Sequence, residues 1–416
     1  MRRVPTLGSV RRAAFVLAAA VALAGCGGGN GSGDSTKTLL VAVNAPFTGT
    51  PYLGDTIAGG AELGVADFGR RFVVGNDAYR LRVKRYDSRL SPQAAVANVR
   101  HAIDDGAVAI IDEGTGVNAS WGIANRANVP LAIVYQGGLG LVDPARRPDV
   151  FRIAPTDHGI AFRLAEYLIP KRLKIALLVD DSDYGQEGAK ALREAFGSNP
   201  EAVAARITLP AAGVDVAPQV LRARRAGATA LLVWAQPAAI AGVLTAARSA
   251  GWNVPVYAPP SAEDPLVRQQ LADRPDWVDG LTFATGRMTA EVGPGPFEQF
   301  ATSFEDAYGP QSVGVRTPEG EEVVQPPDYA MYAYDFVHVL VAALQAAREV
   351  RGPKVTEALN QVSVEGANGD ERGFNENNHE GVVDDDVYFA RFEGMTFRPV
   401  KDDLLSSTLP VINQTR

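Results

Sequence analysis

From Thr38 onward, short apolar runs alternate with longer helical patterns, and that alternation leaves few folds open. "TLLVAVN" reads as a strand, "GDTIAGGAELGVADF" as a helix, "YRLRVKRYD" as a strand and "SPQAAVANVRHAI" as a helix. "AVAIID", a helix from Asn118 and "VPLAIVY" continue the series. Strands this apolar, separated by helices, belong in a parallel sheet covered on both faces. After "DVFRIAPTD" the alternation restarts with a helix near His158 to Ile169, "LKIALLVDD", a helix from Tyr184, "AVAARITL" and a helix near Val214. "ATALLVWA", a helix near Ala238 to Ala250, "VPVYAPP" and "DGLTFATG" follow. Five or more strands in each half are too many for one short sheet, so the expected fold is α/β with two doubly wound, Rossmann-like lobes. Phe297 to Tyr308 and Tyr329 to Val350 read as helices, and the Pro/Gly-rich stretch between them as a solvated surface loop. The closing "DDDVYFARFEGMTFRPV" alternates with period two around Gly394, a hairpin signal. Its acidic triplet, Asp384 to Asp386, reads as solvated.

The chain ahead of Thr38 has a different character. Arg2, Arg3, Arg11 and Arg12 precede an apolar run of 11 residues, Ala13 to Leu23, which narrows to Ala24 and Gly25. That is the layout of a signal peptide over residues 1–25, too short for a helix that crosses a bilayer in roughly 20 residues. Leu23-Ala24-Gly25-Cys26 resembles the bacterial lipobox, so Cys26, the single cysteine, is the expected lipidation site. Residues 26–37, Gly/Ser-rich, then form a flexible tether to a membrane. Loss of the four arginines of residues 1–25 moves the net charge from −8 to −12. So acidic a body argues against nucleic acid as a partner.

In open α/β sheets ligands sit beyond the carboxyl ends of the strands, so the loops there carry the candidates. "NAPFTGTPYLGD" contains neither G-x-G-x-x-G nor G-K-[ST], hence no dinucleotide or phosphate loop and no expected cofactor. Tyr52 in it offers an aromatic wall or a packed turn. In "IIDEGTGVNAS" a helix begins near Asn118. Free amides there, close backbone approach at Gly114 and Gly116 and the Thr115 hydroxyl form an expected anion site, with simple helix capping as the alternative. Glu113 in the same loop meets a ligand cation or faces solvent. Gln136 and Gly137 of "VYQGG" and Tyr184 of "VDDSDYG" follow other strands, as do Trp234, Gln236, Ser261 and Glu263. No catalytic set emerges. His101, His158, His338 and His379 are far apart, "NASWG" misses the G-x-S-x-G elbow at its first glycine, and no zinc spacing appears.

Together "APFTG…GD…GAELGV", "AVAIIDEGT", "DVFRIAPTD", "IALLVDDSDYG", "LRARRAGATALLVW" and "MYAYDFVHVLVAAL" resemble the branched-chain amino-acid type of extracellular solute-binding protein, the type I periplasmic binding family of ABC importers. The resemblance covers about residues 38–400. It implies two lobes joined by a three-segment hinge, crossing near Ile153 to Asp157, Ala284 to Met288 and Val364 to Phe374. Lobe I would comprise 38–153 plus 287–364, and lobe II 154–286 plus 365–416. The resemblance also implies that the loops at Gly114-Thr115-Gly116 and Gln136-Gly137-Gly138 hold a ligand's carboxylate and amine, with Tyr184 closing over it. The acidic residue that binds the amine in the family falls near Pro260 here, and the hydroxyl of the second loop falls on Gly138, a departure from the pattern for an ordinary branched-chain amino acid. The function expected is capture of a small polar ligand, an amino acid or related small carboxylate or amide, for an ABC permease. The protein would be a monomer outside the cytoplasm, held to a membrane through Cys26. A ligand sensor reporting to a membrane partner and a secreted enzyme are the alternatives.

Overall fold

The computed structural model describes residues 36–69, 71–210, 214–285, 295–382, 387–409 and 411–416. The segments expected to be the signal peptide and, for the most part, the tether, with Cys26, and the Asp384 to Asp386 triplet lie outside them. The first lobe opens with β1 (Lys37–Ala45), α1 (Pro51–Asp67), β2 (Phe72–Val74), β3 (Asp77–Asp87), α2 (Pro92–Asp104), β4 (Ala107–Asp112), α3 (Val117–Arg126), β5 (Leu131–Ile133) and β6 (Val150–Arg152). Its sheet runs β2-β3-β1-β4-β5-β6, parallel except for the β2–β3 hairpin. All six residues of β4 are buried, as a strand covered on both faces requires.

The second lobe contains α4 (Asp157–Leu168), β7 (Ile175–Asp180), α5 (Asp183–Ala195), β8 (Val203–Leu209), α6 (Ala217–Arg225), β9 (Ala230–Trp234), α7 (Pro237–Ser249), β10 (Val256–Ala258), α8 (Pro265–Gln270) and β11 (Thr282–Thr285). The order is β17-β16-β11-β10-β9-β7-β8, where β16 (Tyr388–Glu393) and β17 (Thr396–Pro399) form the hairpin around Gly394. Helix starts carry the side chains expected of caps: Ser91 accepts from Ala94 N, Thr156 from Gly159 N and Ser182 from Gly185 N.

Between β11 and β16 the chain returns to the first lobe. Helix α9 (Gly295–Tyr308) contributes Phe297, Phe300 and Phe304 to the first core. Helix α10 (Asp328–Ala347) crosses the same core and is followed by α11 (Pro353–Leu359), β14 (Ser363–Glu365) and β15 (Glu371–Gly373). Helix α10 is long and apolar enough to cross a membrane, but two thirds of its most apolar stretch is buried inside the protein, which makes it a core helix.

Two expectations change here. The segment read as a solvated loop holds β12 (Gln311–Arg316) and β13 (Glu322–Gln325), an antiparallel pair that buries Val313, Val315 and Val323 in the second core, although its neighbours on both sides belong to the first. The C-terminal residues extend that pair, with Val324 N bonded to Gln414 O and Arg416 N to Glu322 O. The last crossing also moves. Ala367, Phe374 and Val382 still pack in the first core, and His379 and Gly381 bond to Arg152 at the edge of β6. Val387 packs in a cluster of the second lobe, so among the described residues the chain stays with the first lobe beyond the expected crossing at Val364 to Phe374. The cause is a buried polar anchor: Arg372 Nε donates to Asp335 Oδ2 at 3.1 Å, with both residues out of solvent.

Candidate functional site

Both sheets reverse strand order at one point, β1 beside β4 in the first and β7 beside β9 in the second, and crevices open at such points. The loops after these four strands and after β5 surround a cavity of about 340 Å³. The first lobe supplies Gly114, Thr115, Gly116, Asn118, Tyr135 and Gln136, with Leu53, Leu90 and Leu141 as apolar wall. The second supplies Ser182, Asp183, Tyr184, Glu187, Gln236 and Asp264.

The loop after β4 is built differently from the expected anion site. Asn44 of β1 lies in register with Asp112, and its amide donates to Asp112 Oδ2 at 2.7 Å. The other oxygen of Asp112 takes the Gly114 amide at 2.7 Å. Glu113 accepts the Ser88 hydroxyl, the Thr115 amide and the Thr115 hydroxyl, each at 3.1 Å. The Thr115 oxygen in turn accepts Gln136 Nε2 at 3.0 Å. Every donor that would hold a ligand carboxylate at Gly114 and Thr115 is thus spent on a carboxylate of the chain itself. Glu113 is fully buried, neither facing solvent nor lining the cavity. Burial pushes both carboxyls up, and for Asp112 the charge of Glu113 adds to it. Gly114 is fixed by this arrangement: its φ is 119°, and a Cβ there would lie 2.4 Å from the Gln136 Cβ.

Across the cavity, Asp180 at the end of β7 organises the opposing loops. It accepts the Ser182 amide and hydroxyl and, at 2.6 Å, the Gln236 amide. The Tyr184 hydroxyl reaches Ser261 Oγ at 3.5 Å, and Ser261 donates to Ala235 O at 2.7 Å. Trp234 is completely buried behind Tyr184, ring centres 6.0 Å apart, so it backs the wall rather than forming it.

Of the residues singled out from sequence, Gly114, Thr115, Gly116, Asn118, Gln136, Tyr184 and Gln236 come together on the cavity. Gly137 lies one residue behind, its carbonyl accepting the Asp157 amide. Tyr52, Ser261 and Glu263 occupy a deeper buried layer between the lobes. There Glu263 accepts Thr285 Oγ1 at 2.9 Å and Gln325 Nε2 at 2.8 Å and abuts Asp328 of the first lobe, and burial holds both carboxyls above their ordinary range. Tyr329 closes the same layer, its hydroxyl donating to Pro260 O at 2.8 Å. Sequence reasoning missed Tyr135, Glu187 and Asp264. The signal for Asp264 was present in "AEDP", since an Asp before a Pro is a helix-start pattern, and its Oδ1 does accept the Leu266 amide.

Residues 38–396 match the family model described as periplasmic binding protein. The chain belongs to the periplasmic binding protein family. Membership makes it an extracytoplasmic solute-binding protein and not an enzyme. Solved periplasmic binding proteins share its two-lobed fold. A type 1 member from Bordetella pertussis Tohama I is 20% identical with a TM-score of 0.76, covering 88% of this chain and 100% of its own. The branched-chain amino acid transporter substrate-binding protein LivJ from Streptococcus pneumoniae, solved with isoleucine, is 18% identical with a TM-score of 0.72, covering 87% and 98%. An ABC transporter solute-binding protein from Rhodopseudomonas palustris BisB5, solved with 3,4-dihydroxybenzoic acid, is 18% identical with a TM-score of 0.67, covering 86% and 93%. A comparison with curated protein sequences finds no match.

One titration of this binding protein is measurable at the cavity's edge. Asp157, buried at the start of α4, is pushed up to about 7 by burial, opposed by Arg152 and reinforced by Glu187. A carboxyl raised in the folded state stabilises most below its unfolded pKa, and that contribution is lost as pH rises through the folded value. Here the window runs from about pH 4 to pH 7, and the full shift corresponds to up to about 4 kcal/mol. Asp157→Asn should therefore melt higher than wild type at pH 8, by a margin that narrows at pH 5. Equal margins at the two pH values, read by calorimetry, would exclude a buried titrating carboxyl.

Proposed function

We propose that this protein captures a small polar solute in the cleft between its lobes and delivers it to the membrane permease of an ABC transporter, held at the membrane by a lipid on Cys26. The carrying observation is the cavity itself. Polar groups from both sheet switch points converge on it, with Thr115, Asn118 and Gln136 on one side and Tyr184 and Gln236 on the other. A ligand touching both sets favours the closed arrangement, and closure is the state a permease can distinguish. We assign direct ligand contact to those five residues, and a supporting role to Tyr52, Glu113, Gly137, Trp234, Ser261 and Glu263.

The test is a thermal-shift screen with amino acids, amines, amides, sugars and hydroxybenzoates, followed by small-angle scattering with any compound that raises the melting temperature. A ligand at 100 times its dissociation constant adds about 2.7 kcal/mol. Wild type should compact on binding, whereas Tyr184→Ala, which lacks the second-lobe contact, should bind at least tenfold more weakly and remain more open, since such a contact contributes about 1.5 kcal/mol or more. Affinity unchanged in both Tyr184→Ala and Gln236→Ala would place the site elsewhere. For the anchor, Cys26→Ser should leave ligand binding intact and release the protein from membranes on cell fractionation; a variant that still sediments with membrane would refute the lipid tether.

A further inference from the structure

The charge of the cleft is one-sided. Asp264 and Glu187 line it, Asp183 stands at its mouth, and among the described residues no lysine, arginine or histidine lines it. Two buried arginines behind the cleft are bonded to other groups. Arg152, behind the Gln136 loop, holds Glu380 through two bonds of 2.6 and 2.7 Å. Arg268 is buried against Gln325 and the carbonyls of Glu263 and Met395. Lys190, exposed on α5, bonds Glu187 Oε1, and Glu187 Oε2 is buried without a partner among the described residues. Asp264 spends Oδ1 on the Leu266 amide.

Two aromatic rings complete the wall, Tyr135 from the first lobe and Tyr184 from the second. Electron-rich ring faces beside carboxylates are the surroundings that attract an ammonium group, whose charge a desolvated ring and a carboxylate both stabilise. An anion entering the same space would meet carboxylates and only neutral donors such as Asn118 and Gln236, because the Gly114 and Thr115 donors already hold Asp112 and Glu113. Such an uncompensated charge is expensive to bury.

We infer that the cleft selects a small organic cation, an amine or diamine without a free carboxylate, over amino acids and carboxylic acids. This rests on the solute-binding reading given above and narrows it to one ligand class.

The experiment is titration calorimetry of the full chain at pH 8 and low ionic strength with four probes: putrescine, agmatine, L-leucine and 4-hydroxybenzoate. Putrescine or agmatine should bind at least tenfold more tightly than leucine or 4-hydroxybenzoate. Asp264→Asn, which keeps the helix cap because asparagine caps as well as aspartate, should fold normally by circular dichroism. It should weaken the amine by about tenfold or more, as expected for loss of a hydrogen bond to a charged partner. Glu187→Gln should act in the same direction. Tight binding of leucine or 4-hydroxybenzoate with both amines silent overturns the cation inference and leaves the solute-binding reading standing, as does amine affinity unchanged in Asp264→Asn. Silence of all four probes, joined to a thermal-shift screen without a hit, counts against both.

Discussion

Arg372→Met is expected to destabilise the protein by about 3–5 kcal/mol, the cost of leaving a buried carboxylate without its partner. Arg372 is 1% exposed and Asp335 fully buried; the guanidinium bonds Asp335 Oδ2 and Asn368 Oδ1, both at 3.1 Å, while Asp335 Oδ1 takes the Ala367 amide at 2.7 Å. Burial already pushes the Asp335 carboxyl up against the opposing effect of Arg372. Removing the cation therefore leaves Asp335 to take up a proton or unfold its surroundings. The measurement is urea unfolding followed by far-ultraviolet circular dichroism. Adding Asp335→Leu to Arg372→Met should recover part of the loss, because an apolar pair has no charge to desolvate. A single variant as stable as wild type would mean that water reaches Asp335.

Gly60→Ala should cost about 3 kcal/mol, at the upper end of overpacking effects. Helices α1 and α10 touch backbone to backbone there: a Cβ on Gly60 would lie 2.0 Å from the Ala330 carbonyl oxygen and 2.7 Å from its carbon. A side chain could rotate away, but a helix carbonyl cannot, so the helices would have to separate along the centre of the first core. Calorimetry should show a lower melting temperature. Because α10 begins at Asp328, in the layer that joins the lobes, a shifted α10 should also weaken ligand binding. An unchanged melting temperature would show that α10 is free to slide.

The alternation of apolar strands and helices made both sheets legible, because fully buried parallel strands such as β4 and β9 must be continuous apolar runs. The loops that line the cavity were legible for the same reason, since the rule that places crevices at strand ends needs only the strands. What escaped was anything decided by partners distant in sequence. Glu113 looks like an acid that meets a ligand cation or faces solvent until Ser88, brought in from just beyond β3, bonds it in the interior. The β12–β13 pair is half polar and rich in turn residues, and only its seat on the second core reveals Val313 and Val323 as interior. The last crossing was misplaced because "ANGDERGFNENNHEG" looks solvated, whereas Asn368, Arg372 and His379 in it are all buried and hydrogen-bonded.

The seating of β16 beside β11 has a consequence for how the chain reaches this structure. Thr285 pairs with Tyr388 and Thr282 with Arg391, so one side of the second sheet waits for a strand made about a hundred residues later, after α9, α10 and α11 have been laid into the other lobe. Contacts of such sequence separation slow folding, and an open strand edge is where transient species aggregate. A polypeptide emerging from its N-terminus can complete the first sheet early, yet it must hold β11 unpaired on one side until nearly the whole chain is available. Truncations ending before Tyr388 should therefore accumulate as soluble first-lobe structure joined to an unfinished, aggregation-prone second half.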